Sequence, residues 1–285
     1  MKFAAPTPLD YFTTLVAEDD SLNLLETAIS LAQDDHPHLD VQAVLAQVDA
    51  LARRLRDRLA PETPPPERLR LLTRFFHGEL GFAGNLNNYY AADNSFVHRV
   101  LETRRGIPIT LAVLLLELGE HAGLRMAGVA FPGHFLVKCR VGLGEVVLDP
   151  FTCEALSPTR LDELLAVYRQ GSGLPDDLEL PLEFFLRAAT KRQILARMLR
   201  NLKEVHRAAR DWVRLLAVQQ RLVVLLPDEP AERRDRALAY EALGAHADAA
   251  EDLAFYLARC GEAADAPSLR ERLAVLLAQR SPPLQ

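Results

Sequence analysis

His134 and Asp149 stand 15 residues apart, in the strings Phe131-Pro132-Gly133-His134-Phe135-Leu136-Val137 and Val147-Leu148-Asp149-Pro150-Phe151. Histidine can exchange a proton near neutral pH, and an adjacent carboxylate would orient its ring and stabilise its cationic form. Gly142-Leu143-Gly144 lies between them and permits a tight turn. A hairpin there would bring the start of one strand beside the end of the next. Such a pair can be a base with its orienting acid or a structural hydrogen-bonded pair, and the two residues alone leave both open. A third string, Arg105-Gly106-Ile107-Pro108-Ile109-Thr110, opens a long apolar segment with Thr110 as its only hydroxyl. Three cysteines could supply a thiol. Cys139 falls on the opposite strand face from residues 134, 136 and 138. Cys153 follows Asp149 by four residues in a loop, and Cys260 ends a distant helix. A small buried hydrophobe is the ordinary state of such thiols.

Asn85, Asn87, Asn88 and Asn94 crowd the stretch 81–95 together with Tyr89-Tyr90. Asn, Asp and Gly favour turns, and these side chains suit either a surface loop or the wall of a cleft. Asn85, Tyr89, Asn94, Arg105 and Thr110 are the candidate cleft residues around His134 and Asp149. His36-Pro37-His38 reads as a turn, because a two-histidine metal site would need ligands the sequence does not place. No metal or cofactor is called for.

The elements that must hold these groups follow from apolar spacing. Leu24, Leu25, Ala28, Leu31 and Ala32 recur at helical intervals, as do Val41, Val44, Leu45, Val48, Leu51, Leu55 and Leu59, with Asp40 as N-cap of the second set. After the break Pro61-Glu62-Thr63-Pro64-Pro65-Pro66, a helix is predicted over 67–80 and a short one over 96–103. The next, 108–122, is apolar nearly all round and reads as a buried central helix, with Pro108 at its first turn and Gly123 past its end. The period then changes to three short strands, 126–131, 134–140 and 145–148, an antiparallel meander. A helix over 161–168 and a linker over 170–177 come next. Helices are predicted at 182–206, 211–226, 231–244, 247–260 and 268–280, paired like tetratricopeptide repeats.

Composition narrows the class. The 285 residues include 52 Leu and 40 Ala, which favours a mainly helical fold, and the net charge is −6. Sparse cysteine argues against a disulfide framework and fits a reducing cytoplasm. The N-terminal stretch has one Lys and no apolar core, unlike a secretory signal. The longest strongly apolar run, 111–116, is far short of the about 18 residues that span a bilayer. A net acidic chain does not favour nucleic acid. The stretch 187–221 nevertheless carries ten basic residues and two acidic ones. Arg200, Lys203, Arg207, Arg210 and Arg214 fall at helical spacing on one face, which could take an acidic partner or pair with the acids at 228–252.

The order helix start, His-bearing strand, Asp-bearing strand resembles the transglutaminase-like core. The strings Gly81-Phe82-Ala83-Gly84-Asn85, Tyr89-Tyr90, Asn94-Ser95-Phe96, 100–111, 131–137 and 148–151 resemble one bacterial branch, the SirB-type family. So do Met198-Leu199-Arg200-Asn201-Leu202-Lys203 and Arg233-Arg234-Asp235-Arg236 in the tail. The resemblance implies an α+β, predominantly helical fold. A transglutaminase-like (papain-like) core with a short antiparallel sheet would precede an all-α tetratricopeptide-like tail. The expected division is a helical segment 1–60 packing on the core, the core 67–170 and the tail 178–285. It implies that His134 and Asp149 are the triad His and Asp. It also implies a cysteine at the start of the central helix, where the helix dipole would lower its pKa. Residues 106–111 hold none, and Pro108 and Thr110 occupy that place. The expectation is a non-catalytic regulatory or interaction module whose partner is a protein or peptide. The alternative is a hydrolase or acyl transferase that uses Cys153 or a hydroxyl with His134 and Asp149.

Overall fold

The computed structural model describes residues 6–172 and 181–280, so residues 173–177 of the expected linker lie outside the described residues. In chain order the elements are α1 (Pro8–Leu15), α2 (Leu24–Ser30), α3 (Val41–Arg56), α4 (Pro65–Thr73), β1 (Ala83–Gly84), α5 (Val97–Thr103), β2 (Arg105–Gly106) and α6 (Pro108–His121). There follow β3 (Met126–Val129), β4 (Leu136–Val141), β5 (Gly144–Asp149), β6 (Glu154–Leu156) and α7 (Pro158–Ser172). The remainder is helical: α8 (Leu182–Phe185), α9 (Lys191–Ala209), α10 (Trp212–Leu225), α11 (Pro230–Ala242), α12 (His246–Arg259) and α13 (Ala266–Arg280). A mainly helical α+β fold is what the composition predicts. The chain divides into two compact units, Asp19–Met198 and the pair of segments Met1–Glu18 and Leu199–Gln285. Residues 1–18 therefore group with the C-terminal helices rather than with residues 19–60.

In the unit 19–198, α6 is the central helix. Ile109, Leu111, Ala112, Val113, Leu114, Leu115 and Leu118 are all buried on it. Pro108 sits in its first turn, where a missing N–H costs nothing. Gly123 adopts φ +72 just past its end, the left-handed conformation that terminates helices. Asp40 caps α3 by accepting from the amides of Gln42 and Ala43 at 3.0 and 3.1 Å. The sheet is an antiparallel meander in the order β3-β4-β5-β6. Its register pairs Val137 with Leu148 and Asp149 with Glu154. The fourth strand, β6, is one more than the sequence predicts, because three residues carry too little alternation to be read.

Three further differences have local causes. The helix expected over 67–80 is α-helical only to Thr73 and continues as a π-helical turn, Arg74–Glu79, after which the His77 ring meets the Phe82 carbonyl at 2.9 Å. The helix expected over 182–206 is interrupted. The Ala189 amide donates to the Gly128 carbonyl on the edge of β3 at 2.8 Å. Thr190 and Gln193 then form a reciprocal capping box that restarts the chain as α9, with bonds of 2.9 and 3.1 Å. Finally, β1 and β2 form a parallel two-residue ladder, Ala83 with Arg105 and Gly84 with Gly106.

In the other unit one apolar cluster comprises Ala237, Ala249, Ala250, Leu253, Tyr256, Leu269 and Leu276. Small Ala side chains let the helices approach closely, and α1 adds the fully buried Phe12. Asp252 is 2% exposed and accepts from Arg236 at 2.6 and 2.8 Å. Arg234 reaches Asp265 at 2.8 Å. The basic residues at 200–214 do not form one open face. Helix α9 ends at Ala209, and Arg210 turns the chain with φ +54. Arg200 and Lys203 pair with buried Glu232 at 2.8 and 3.0 Å, and Lys203 also bonds Asp235. Arg207 pairs with Glu204, and Arg214 with Asp211. Opposite charge from α11 and from nearby positions neutralises most of the face. No described helix is long and apolar enough to cross a membrane.

Candidate functional site

Two turns and one helix start meet in the unit 19–198. The first turn is Phe131-Pro132-Gly133-His134. The His134 amide donates to the Phe131 carbonyl at 3.0 Å, and Gly133 has φ +70. Proline followed by a glycine with positive φ is the composition of a type II turn, which leaves His134 just before β4 rather than on it. The second turn links β5 to β6. The Asp149 carboxylate accepts from the Phe151 amide at 2.8 Å, the Cys153 amide donates to the Asp149 carbonyl at 2.7 Å, and Cys153 itself has φ +62.

The short parallel ladder ties the chain just before α6 to the turn that bears Asp149. The Asn85 amide donates to the Gly106 carbonyl at 3.0 Å, and the Gly84 amide to the Phe151 carbonyl at 2.9 Å. A Cβ on Gly84 would lie 2.1 Å from the Phe151 ring, so only glycine permits this approach. The loop after β1 thus touches both the start of α6 and the turn that bears Asp149.

The fold brings His134, Asp149 and Tyr89 into one neighbourhood. Burial raises the Asp149 carboxyl above the usual range, while the Phe151 amide and the positive charge of His134 act in the opposite direction. Burial also raises the Tyr89 hydroxyl, which feels both Arg197 and Asp149. The Tyr89 ring lies 6.3 Å from that of Phe151. Asn85 and Asn94 hold the loop. Asn94 is 2% exposed, accepts from Asn85 at 2.9 Å and donates to the carbonyls of Asn88 and Tyr89 at 2.6 and 3.0 Å. Arg105 binds the Gly81 and Arg104 carbonyls at 2.6 and 2.9 Å. Thr110 is fully buried in α6, and its hydroxyl has no partner among the described residues.

The thiols differ in environment. Cys139 is fully buried, and burial raises its pKa. Cys153 is pushed up to about 12 by burial and by the Asp149 carboxylate. A thiol this basic stays protonated near neutral pH, and the thiolate is the nucleophile. Among the described residues no group of three or more His, Cys, Asp or Glu is placed to hold a metal.

Arg197 is the residue that sequence reasoning missed. It belongs to α9, and its guanidinium lies 6.0 Å from the ring centre of Phe135, next to His134. Burial lowers its pKa, and Tyr89 and Tyr168 oppose that shift. The available signal was one charge inside the apolar run Ile194-Leu195-Ala196-Arg197-Met198-Leu199. Helical spacing alone could not say that it faces a turn some sixty residues earlier in the chain.

Residues 42–200 match the transglutaminase-like superfamily and residues 202–274 the tetratricopeptide repeat. The UPF0162 protein of Xylella fastidiosa (strain 9a5c) is 36% identical over 242 residues, 84% of this chain and 85% of its own. The UPF0162 protein of Vibrio cholerae serotype O1 (strain ATCC 39315 / El Tor Inaba N16961) is 28% identical over 242 residues, 85% of this chain and 87% of its own. The UPF0162 protein YchA of Escherichia coli (strain K12) is 28% identical over 229 residues, 80% of this chain and 82% of its own. No solved structure matches the chain.

Proposed function

Because the chain belongs to the UPF0162 family and carries a transglutaminase-like domain followed by tetratricopeptide-like helices, we propose that it is a non-catalytic interaction module of the SirB type. Its His134/Asp149 cleft binds a protein or peptide. The observation that carries this reading is the start of α6, where residues 106–111 hold no thiol, and the thiol of Cys153 near Asp149 is no activated substitute. Cys153 is held at about 12. The start of α6, where a helix dipole would activate a nucleophile, offers Pro108, Ile109 and the buried Thr110 instead. An unactivated threonine hydroxyl is a weak nucleophile. His134 is then a hydrogen-bonding group on a binding surface.

The test uses the full chain and an iodoacetamide probe at neutral pH, with labelling read residue by residue. Cys153 is expected to label no faster in the native protein than after unfolding, with the same pattern in His134→Ala. Rapid labelling of a single residue that His134→Ala abolishes would return the cleft to the hydrolase or acyl-transferase reading.

A further inference from the structure

The structure assigns Arg197 as the anion-binding pole of the His134/Asp149 cleft, where it takes the carboxylate of a peptide-like ligand. This rests on the reading of that cleft as a binding site. Three placements define the pole. The Arg197 guanidinium stands 6.0 Å from the Phe135 ring, directly after His134. A Cβ on Gly133 would meet the Tyr168 ring at 3.7 Å, so Tyr168 packs on the same turn. Tyr89 stands 6.3 Å, ring to ring, from Phe151 on the turn that bears Asp149. Arg197 therefore lies beside the residue that follows the His134 turn and is influenced by two tyrosines that are 43% and 40% exposed, one of which stands near the Asp149 turn.

Arg197 is half-buried yet makes no hydrogen bond or ion pair with a described residue. Elsewhere in the chain Arg200, Arg234 and Arg236 each pair with a carboxylate. Partial burial of a guanidinium with no carboxylate partner among the described residues is unfavourable, and an anionic ligand would relieve it. Its fork of donors matches a carboxylate bidentately, and the hydroxyls of Tyr89 and Tyr168 are further donors. A single guanidinium suits a monoanion better than a phosphate dianion. The carboxylate can be a chain terminus or an Asp or Glu side chain.

The experiment separates these sources with three mixtures of acetylated random tetrapeptides, incubated with the full chain. One mixture ends in a free carboxylate, one is amidated with a single Asp or Glu, and one is amidated and neutral. Retention of either acidic mixture about tenfold or more above the neutral one is expected, and the preferred acidic mixture identifies the source. Arg197→Gln should abolish the preference, and Arg197→Lys should keep only part of it, because it retains charge without the fork. If Arg197→Gln fails to fold by thermal melting, the Tyr89→Phe/Tyr168→Phe double variant replaces it and should weaken the preference. Equal retention of all three mixtures, or a preference that survives Arg197→Gln or the substituted double variant unchanged, overturns the assignment. A preference lost in Arg197→Gln but kept in His134→Ala upholds the anion pole while removing His134 from binding. His134-dependent iodoacetamide labelling would overturn only the non-catalytic reading.

Discussion

Replacing Gly84 with alanine should loosen the site at its most crowded point. The added Cβ would lie 2.1 Å from the Phe151 ring, whereas ordinary contact begins at 3.4 Å, so something must retreat by about 1.3 Å. The backbone of residue 84 resists, because Ala83, Gly84 and Asn85 donate to the carbonyls of Arg104, Phe151 and Gly106 at 2.9–3.0 Å. The ring must yield instead, together with the turn whose Phe151 amide holds the Asp149 carboxylate. Overpacking of this kind costs about 1–3 kcal/mol. For a unit of this size that is a fall in Tm of about 2–12 °C. Calorimetry and urea unfolding read the loss, and the double variant Gly84→Ala/Phe151→Ala isolates its cause. Removal of the ring removes the clash, so the two substitutions should couple by about 1 kcal/mol or more. A Gly84→Ala protein as stable as the parent, or additive losses in the double variant, would refute the claim that ring contact holds this turn.

Glu232 is buried between Arg200 and Lys203, so Glu232→Ala should cost about 3 kcal/mol in urea unfolding, the low end for a broken buried pair because Lys203 keeps Asp235. Burial, with the charge of His36 next, pushes His98 down from 6.5 to about 4. The unfolded chain therefore takes this proton at a higher pH than the folded chain, and stability that is full above pH 6.5 falls as pH drops toward 4, by at most about 3 kcal/mol. His98→Phe should flatten the slope of stability against pH in that window, and an unchanged slope would place the effect elsewhere. Gly133→Ala puts a side chain at φ +70 and should cost about 1 kcal/mol by thermal melting while disturbing the placement of His134.

Much of the frame was legible in the sequence because it rests on long periodic patterns. The apolar run 108–122 gives the buried α6, and alternation with glycine-rich breaks gives the meander. Pro132-Gly133 correctly marks a turn before His134. What escaped depends on contacts between distant segments. Two-residue strands have no period, so the β1–β2 ladder that docks the Asn-rich loop could not be read. Ala188 and Ala189 look helical in isolation, yet pairing with β3 overrides that propensity. Residue type alone places Asn85 and Asn94 in the cleft, but their amide groups are used within the loop. By spacing alone Arg197 is one more charge of a basic helix, and only the fold sets it beside Phe135.

His134 and Asp149 do not carry equal weight in the proposed site. Asp149 has a structural role that needs no chemistry, since its carboxylate accepts from the Phe151 amide and closes the turn between β5 and β6. Its presence is thus explained by the fold, and any loss seen in an Asp149 variant mixes folding with function. His134 is different. Its backbone closes a turn that many residues could close, and its ring makes no hydrogen bond to a described residue. A half-buried imidazole with no hydrogen-bond partner among the described residues, near enough to Asp149 to influence its carboxyl, is available to a group outside the chain. Substitution at His134 rather than at Asp149 therefore tests function with the least disturbance of the frame.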